Sequence, residues 1–316
     1  FSITNFEAIK PFLDKLLFTS INSTDELRKW LKDRSELESI IFEDMGWRYI
    51  KMTCHTDNEE YQKSYQDFVQ NIQPHLAPVA DQLNKKVHAS PFIKEIEEQS
   101  GFNMMIRNMK KDVDLFREEN VPLFTEINTE TQKYAQVSGA MTITLEGKEL
   151  TLQQAGVILL DTNRTRREEV YHKISERRLL DKQTLDDLYS GLIKLRHQVA
   201  VNAGFINFRD YQFKAYGRFD YTPQDCFDFH AAIKHEVVPV LNELSALRKK
   251  KLKVDSLRPW DKAVDAEGRP PLKAFENGHD LTEKSIECFR RLDPFLGQCL
   301  SVMNAMGHLD LESRKG

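Results

Sequence analysis

The stretch of sequence that decides the fold is Leu195–Asp261, which begins LRHQVAVNAGFINFRDYQFKAYGRFDYTP and ends with SLRPWD. Its first part continues a helical stripe of apolar residues that stops where Gly204 can adopt the left-handed conformation past a helix end. Thr222 then caps a helix of about 30 residues. Pro239 lies inside that helix and removes one backbone hydrogen bond, so we expect a kink just before it. This succession of helices, turns and aromatic-basic clusters is typical of the wall of a binding site.

The composition predicts a helix-rich globular protein. Of the 316 residues, 30% are charged and 40% hydrophobic, with only 13 Gly and 11 Pro, which argues against disorder. The formal net charge of −4 gives no electrostatic reason to expect nucleic acid or an anionic membrane as a partner. The four cysteines have no C-x-x-C spacing, so neither a zinc knuckle nor a redox pair is indicated.

No part of the sequence predicts insertion into a membrane. A bilayer-spanning helix needs about 20 consecutive apolar residues, and no run approaches that length. The opening FSITNFEAIKPF has neither the basic nor the apolar region of a signal peptide. The chain is therefore predicted to be cytoplasmic, with no membrane as partner.

The N-terminal third predicts a long antiparallel helical hairpin. Asn5 caps a first helix, and Ser23-Thr24-Asp25-Glu26 is a capping box that starts a long second helix. Apolar residues at helical spacing from Tyr61 to Val87 predict a helix that packs antiparallel against this second helix. Pro74 and Pro78 interrupt this stripe, so we expect the returning helix to be kinked or divided into two.

A lobe of shorter helices follows, at about 92–99, 103–119 and 121–137. One small β-hairpin is predicted near 140–152, where apolar and polar residues alternate on both sides of Gly147. The fold class is therefore all-α: a long antiparallel helical hairpin plus a helical lobe, with a single hairpin of strands.

The last helix, about 295–306, has a wider apolar arc than one packing face requires. Monomeric soluble proteins rarely leave such an arc in water. We therefore expect further residues to cover it, which would make this chain part of a longer protein.

His235-Glu236 is the first candidate for chemistry, because H-E-x-x-H on a helix binds zinc through two histidines with Glu as general base. Here the fifth position is Pro239, so a solvated helix pair is the favoured interpretation. The run Arg248–Lys251 can bind nucleic acid, but cations in the last turns of a helix also complement its dipole, and a solvated face is favoured. The sequence assigns no catalytic residue and no metal ligand.

Arg258, Trp260 and Asp261 are the candidate substrate-binding residues. Arg stacks on Trp and pairs with Asp, so these side chains can line a ligand groove or clamp an extended segment, and the sequence leaves both open. Gly217-Arg218-Phe219-Asp220-Tyr221 has the same ambiguity, with a local Arg218–Asp220 turn as the simpler interpretation. Phosphate-binding and nucleophile-elbow motifs do not occur.

Several blocks of the sequence, in order, resemble the oligoendopeptidase F branch of the thimet oligopeptidase family of zinc metallopeptidases. They are SELESIIFEDMGWRYIKMT at 35–53, GAMTITLEGKELTLQQA at 139–155, the opening of Leu195–Asp261, LRPWDKAVDAEGRPPL at 257–272 and the closing DLESRKG. The resemblance implies two helical lobes around a channel that admits oligopeptides. It also implies a zinc ion held by H-E-x-x-H and a later Glu.

In that family the zinc motif follows the segment that DLESRKG resembles, so no ligand or general base is carried onto this chain. The resemblance implies that residues 309–314 form a strand leading into the active-site sheet. It also implies domains at 1–100, 101–180 and 181–316, the last being the first part of a peptidase domain. We therefore expect the N-terminal portion of a zinc oligoendopeptidase, which binds no zinc and is inactive without its C-terminal catalytic half. The alternative is a non-catalytic helical peptide-binding or scaffold module.

Overall fold

A computed structural model of the chain describes residues 3–311, and its architecture confirms the all-α prediction with one small β-hairpin. The N-terminal helices are α1 (Phe6–Phe18), α2 (Thr24–Cys54), α3 (Glu59–Asp67), α4 (Gln73–Ala89), α5 (Ile93–Glu97), α6 (Phe102–Leu115) and α7 (Asn120–Gly139). Strands β1 (Thr142–Leu145) and β2 (Lys148–Thr151) are followed by α8 (Leu152–Ile158), α9 (Arg164–Leu180), α10 (Lys182–Asn202), α11 (Phe208–Ala215), α12 (Pro223–Ala232), α13 (Val238–Leu252), α14 (Gly278–Leu292) and α15 (Pro294–Ala305).

The helix starts follow the predicted caps. Asn5 Oδ1 accepts a hydrogen bond from the Ala8 N–H at 3.0 Å, and Ser23 Oγ accepts one from the Glu26 N–H at 3.2 Å. The Glu26 side chain completes the α2 start by accepting from the Asn22 N–H at 2.7 Å, one residue earlier than a capping box requires. The bonds to Asn5 and Ser23 each satisfy a backbone donor that a helix end leaves open.

The chain folds into two compact units. One contains Phe1–Ala135 with Thr184–His230, and the other contains Gln136–Gln183 with Ala231–Gly316. The domains expected at 1–100, 101–180 and 181–316 concern a longer protein and stay a prediction.

The first unit contains the long helical hairpin. Arg48 Nη1 donates to the Ser64 carbonyl at 2.9 Å, and Arg34 Nη2 donates to Asn84 Oδ1 at 2.8 Å, so α2 and the returning helices run antiparallel. Two apolar clusters fill the hairpin. The first is formed by Leu16, Leu27, Trp30, Leu31, Leu83, Val87, Ile96 and Ile106, and the second by Ile3, Ile9, Leu13, Ile41, Phe68 and Ile72.

Both long predicted helices that contain a proline are interrupted by a π-helical turn. Phe68–Ile72 is π-helical just before Pro74, and Ile233–Val237 is π-helical just before Pro239. Proline lacks the N–H and its ring clashes with the carbonyl four residues earlier, and the wider π turn accommodates both effects. The returning helix is therefore divided into α3 and α4, as expected, and the disturbance expected before Pro239 takes the form of a π-helical turn between α12 and α13.

The second unit contains the β-hairpin. Thr142 pairs with Thr151 and Leu145 with Lys148, joined by Glu146 and Gly147 at φ 50° and 77°. Two successive residues with positive φ are typical of a type I′ turn, whose twist matches that of the strands. Ile143 and Leu145 pack against α8 and α9 in a small apolar cluster.

Helices α13 and α15 of the same unit carry apolar side chains that remain exposed. The exposed fraction is 67% for Phe295 of α15 and 59% for Met306, directly after α15, and Val240, Leu244 and Leu247 of α13 are each more than half exposed. The wide apolar arc predicted for the last helix is therefore uncovered within residues 3–311. Only Gly297 of α15 is buried, where it lies against Arg290 of α14.

The described part of the strand implied for residues 309–314 is not a strand. Residues 309–311 have no regular secondary structure, and the remainder of the strand implied for 309–314 lies outside the described residues. Within residues 3–311, the structure contains no helix both long and apolar enough to span a membrane.

Candidate functional site

The candidate substrate-binding residues lie in the second unit, next to the first turns of α9. Asn163 caps this helix, its Oδ1 accepting from the Arg166 N–H at 3.3 Å. Arg164 and Arg167 are three residues apart, so their side chains leave the same face of the helix. Both reach Asp261, more than ninety residues later in the chain.

The Asp261 carboxylate accepts four hydrogen bonds and is fully buried. Arg164 binds it through two nitrogens, Nε to Oδ1 and Nη2 to Oδ2, each at 3.0 Å. Arg167 Nη2 donates to Oδ1 at 3.0 Å, and the Arg258 backbone N–H donates to Oδ2 at 3.0 Å. Burial alone raises the pKa of Asp261, but the hydrogen bonds from Arg164, the Arg258 N–H and Arg167 outweigh it, so the pKa is lowered from its ordinary value.

Arginine side chains also hold the backbone of this segment. Arg167 Nε donates to the Trp260 carbonyl at 2.8 Å, and Arg248 Nε of α13 donates to the Asp261 carbonyl at 2.8 Å. Arg248 Nη2 donates to the Val264 carbonyl as well. The segment from Trp260 to Val264 is therefore fixed to two helices by charge-assisted hydrogen bonds.

Trp260 is buried beside α9. Its ring centroid lies 5.4 Å from that of Tyr171 and 5.3 Å from that of His172, with the Arg164 guanidinium 5.7 Å away over the ring. The indole N–H of Trp260 is buried and has no hydrogen-bond partner among the described residues. A buried donor without a partner costs free energy, so this N–H can donate to an acceptor atom of a bound molecule or water.

Arg258 differs from Trp260 and Asp261 because its side chain is exposed. The structure thus brings Arg258, Trp260 and Asp261 together. Trp260 and Asp261 fix this segment to α9, and the Arg258 side chain lies at the surface. A cleft of about 500 Å³ lies alongside, and its wall combines apolar residues such as Leu252, Val254 and Val264 with charged ones. The charged residues are Arg164, Arg167, Lys251, Lys253, Asp265 and Glu267. The chemistry available there is charge pairing and hydrogen bonding beside a partly apolar wall.

The arginines that hold Asp261 were not predicted as site residues. Arg248 was expected on a solvated face, which is wrong: its guanidinium binds two carbonyls of the clamped segment. The only sequence signal was the spacing of Arg164 and Arg167, together with an Asp in a segment that Pro259 keeps out of a regular helix. Neither signal identifies its partner, because the partners are far apart in the chain.

The Gly217–Tyr221 turn also pairs differently from the simpler expectation. Asp220 lies 3.7 Å from Arg107 of α6, not with Arg218 in a local pair, and the Arg107 guanidinium stacks 4.1 Å from the Phe219 ring centroid. Gly217 has φ 63°, which favours glycine.

The residues present do not fit a catalytic zinc site. His235 and Glu236 are exposed on the π-helical turn, as expected of a solvated pair. Within residues 3–311, no group of three His, Cys, Asp or Glu side chains is arranged to hold a metal ion. A catalytic zinc needs about three protein ligands, so no step of a reaction is assigned to zinc on these residues.

Two sequence patterns of one peptidase family match the chain in order. The peptidase M3 N-terminal domain matches residues 1–116, and peptidase family M3 matches residues 157–269. No curated protein matches the chain.

Solved peptidase structures have the same fold. PZ peptidase A, in a structure with inhibitor 2, superposes with a TM-score of 0.92 at 21% identity over 100% of this chain and 56% of its own. A Bacillus anthracis protein that carries the name oligoendopeptidase F gives 0.91 at 20% identity over 100% and 58%. Oligoendopeptidase-F from Enterococcus faecium gives 0.63 at 16% identity over 90% and 56%. The chain thus spans a little over half the length of the structures it matches.

Proposed function

Because the chain belongs to peptidase family M3, we propose that it is the N-terminal portion of a zinc-dependent oligoendopeptidase that cleaves internal bonds of short peptides in the cytoplasm. The observation that carries this proposal is the ordered match of two M3 patterns on a chain that spans 56% of PZ peptidase A. The zinc ligands and the general base belong, in this proposal, to residues after Gly316. Bound zinc would activate water against the scissile amide.

The described residues contribute binding surface and not bond cleavage. We assign to Arg258 a contact with the peptide, because its guanidinium is exposed while its backbone N–H is fixed by Asp261. Trp260 and Asp261 act as positioning residues, since both are buried and hold the segment against α9. A fixed backbone reduces the conformational entropy that an exposed arginine loses when it binds.

The exposed apolar faces of α13 and α15 are proposed to pack against the C-terminal portion of the same protein. Leu244 is 55% exposed and Phe295 is 67% exposed, and a stable soluble protein rarely leaves faces of this kind in water. These exposed faces favour packing against a C-terminal catalytic half over the alternative of a complete scaffold module.

The test compares the 316-residue chain with the protein expressed from the complete reading frame. Each is incubated with a quenched fluorescent peptide, and bound zinc is measured by atomic emission. We expect turnover and one zinc per chain for the complete protein, both lost on treatment with a chelator, and neither for the 316-residue chain. Stoichiometric zinc with turnover in the 316-residue chain would overturn the proposal. Peptide binding without turnover in the complete protein would favour the non-catalytic module.

A further inference from the structure

The long hairpin of the first unit is interrupted by a polar layer. Arg34 of α2 is 6% exposed, and its Nη2 donates to Asn84 Oδ1 of α4 at 2.8 Å. Its Nε donates to Glu38 Oε1 at 2.7 Å. Asp81, about one turn before Asn84, is also buried and pairs with Lys85 at 2.6 Å. Buried charges of this kind do not increase stability over well-packed apolar residues, so their presence calls for another reason.

A cavity of about 270 Å³ lies beside this layer, where the two apolar clusters of the hairpin meet. Its wall is mostly apolar and takes residues from both clusters, including Leu16 and Leu83 from one and Ile41 and Phe68 from the other. The cavity is open to solvent on one side, where the Phe42 side chain in its wall is 67% exposed. A space of this size is just below the usual range for small-molecule pockets.

One polar group of the wall is left open. Arg34 lines the cavity, and its Nη1 is buried with no hydrogen-bond partner among the described residues, whereas its Nε and Nη2 are both paired. A buried N–H of a charged group that has no acceptor costs free energy. A ligand that places an acceptor at this atom would therefore be strongly favoured. The wall also includes Phe68, the first residue of the π-helical turn, and such turns occur frequently at functional sites.

We propose that this cavity is a binding site for a small neutral molecule that has an apolar body and one hydrogen-bond acceptor, such as a carboxamide. The apolar wall takes the body, and Arg34 Nη1 donates to the acceptor. The ligand is neutral because Glu38 already neutralises Arg34, so a second anion would be repelled there. An engineered apolar cavity of about 150 Å³ holds benzene, so this one has room for about ten non-hydrogen atoms.

The proposal is tested on the 316-residue chain with three probes of nearly equal size, followed by ligand-observed ¹⁹F NMR. They are 4-fluorobenzamide, 4-fluorotoluene and 4-fluorobenzoate. We expect the benzamide to bind at least about tenfold more tightly than the toluene, the reverse of the order that hydrophobicity alone predicts, because only the amide accepts from Arg34. The benzoate should bind more weakly than the benzamide.

Two variants locate the site. Ala80 lines the cavity, so Ala80→Phe should fill it and abolish binding of the benzamide. Ala89→Phe, on the exposed face of the same helix, should leave binding unchanged. Arg34→Met should remove the preference for the benzamide over the toluene; if this variant does not fold, the probe series and the Ala80→Phe result still decide. The proposal is overturned if no probe binds up to its solubility limit, if the toluene binds as well as the benzamide, or if Ala80→Phe binds as tightly as the unchanged chain.

Discussion

The α1–α4 hairpin and the α13–α15 region differ in how they use similar apolar side chains. In the hairpin, Ile9, Leu27 and Val87 are fully buried, so this region completes its own core. In α13 no residue is buried, and Leu241, Leu244 and Leu247 are each more than half exposed. What fixes α13 is polar: Arg248 hydrogen-bonds the carbonyls of Asp261 and Val264. The hairpin is stabilised mainly by apolar burial, whereas α13 is held to the Trp260–Val264 segment by a network of charged groups.

This difference explains why one chain can have a well-formed N-terminal hairpin and still expose a large apolar surface. Apolar burial contributes about 25 cal/mol per Å², so exposed leucine faces represent stabilisation that a further packing partner would supply. The charge network needs no such partner, because all of its members lie in the second unit. The predictions that follow test the two kinds of stabilisation separately.

The largest effect is expected at the charge network. Asp261→Ala leaves Arg167, itself buried, without its carboxylate, and breaking a buried ion pair by removing one member costs about 3–5 kcal/mol. Urea denaturation followed by circular dichroism measures the loss. Asp265→Ala serves as the control, because its partner Arg269 is largely exposed, and it should change stability little. Equal effects of the two variants would show that the network does not hold the second region.

The comparison itself is tested by the same substitution made in each region. Leu27→Ala in the hairpin core should cost about 2–5 kcal/mol, because Leu27 is fully buried and the substitution leaves a cavity. Leu244→Ala in α13 should stay within about 0.5 kcal/mol, because the side chain is 55% exposed. A comparable loss of unfolding free energy in both variants would mean that α13 is covered in the 316-residue chain and would contradict the difference described here.

A smaller effect is expected at the start of α2. Ser23→Ala removes the acceptor for the Glu26 N–H and should cost about 1 kcal/mol of unfolding free energy. Ser35→Ala, at an exposed position inside the same helix, is the control and should cost nothing, since alanine has the higher helix propensity. If Ser23→Ala is as stable as Ser35→Ala, the cap does not contribute to the hairpin.

The smallest effect is on the pH dependence of stability. The pKa of Asp261 is lower in the folded chain than its ordinary value of 3.8, so its ionised form stabilises the fold above about pH 4. That contribution is lost as the pH falls through the lowered pKa. The stability difference between the unchanged chain and Asp261→Asn should therefore be constant near neutral pH and shrink below pH 4. A difference that grows on acidification would contradict the charge network.

The fold was largely predictable from the sequence because its signals are local. Asn5 and Ser23 mark helix starts, and the alternation around Gly147 marks the hairpin, since each depends on residues only a few positions apart. The site was predictable only in part. Arg258, Trp260 and Asp261 do lie together, but Asp261 is held by arginines 94 and 97 residues away. No local pattern identifies partners at that separation.

The π-helical turns show a similar limit. A proline at position 74 or 239 predicts a disturbance in the helix, but the missing N–H does not by itself determine whether the helix bends, breaks or widens into a π-helical turn. The structure has a π-helical turn at both places. Likewise, Asp220 has an arginine two residues away but lies beside Arg107, because chain folding brings α6 close to the Gly217–Tyr221 turn.

The most direct test of the proposed packing is amide hydrogen exchange measured on both the 316-residue chain and the protein from the complete reading frame. If α13 and α15 pack against the C-terminal portion, their amides should exchange at least about a hundredfold more slowly in the complete protein, because opening them then requires loss of that packing. The amides of α2 and α4 should exchange at the same rate in both proteins. Equal protection of α13 and α15 in the two proteins, or a reading frame that ends at Gly316, would contradict the account.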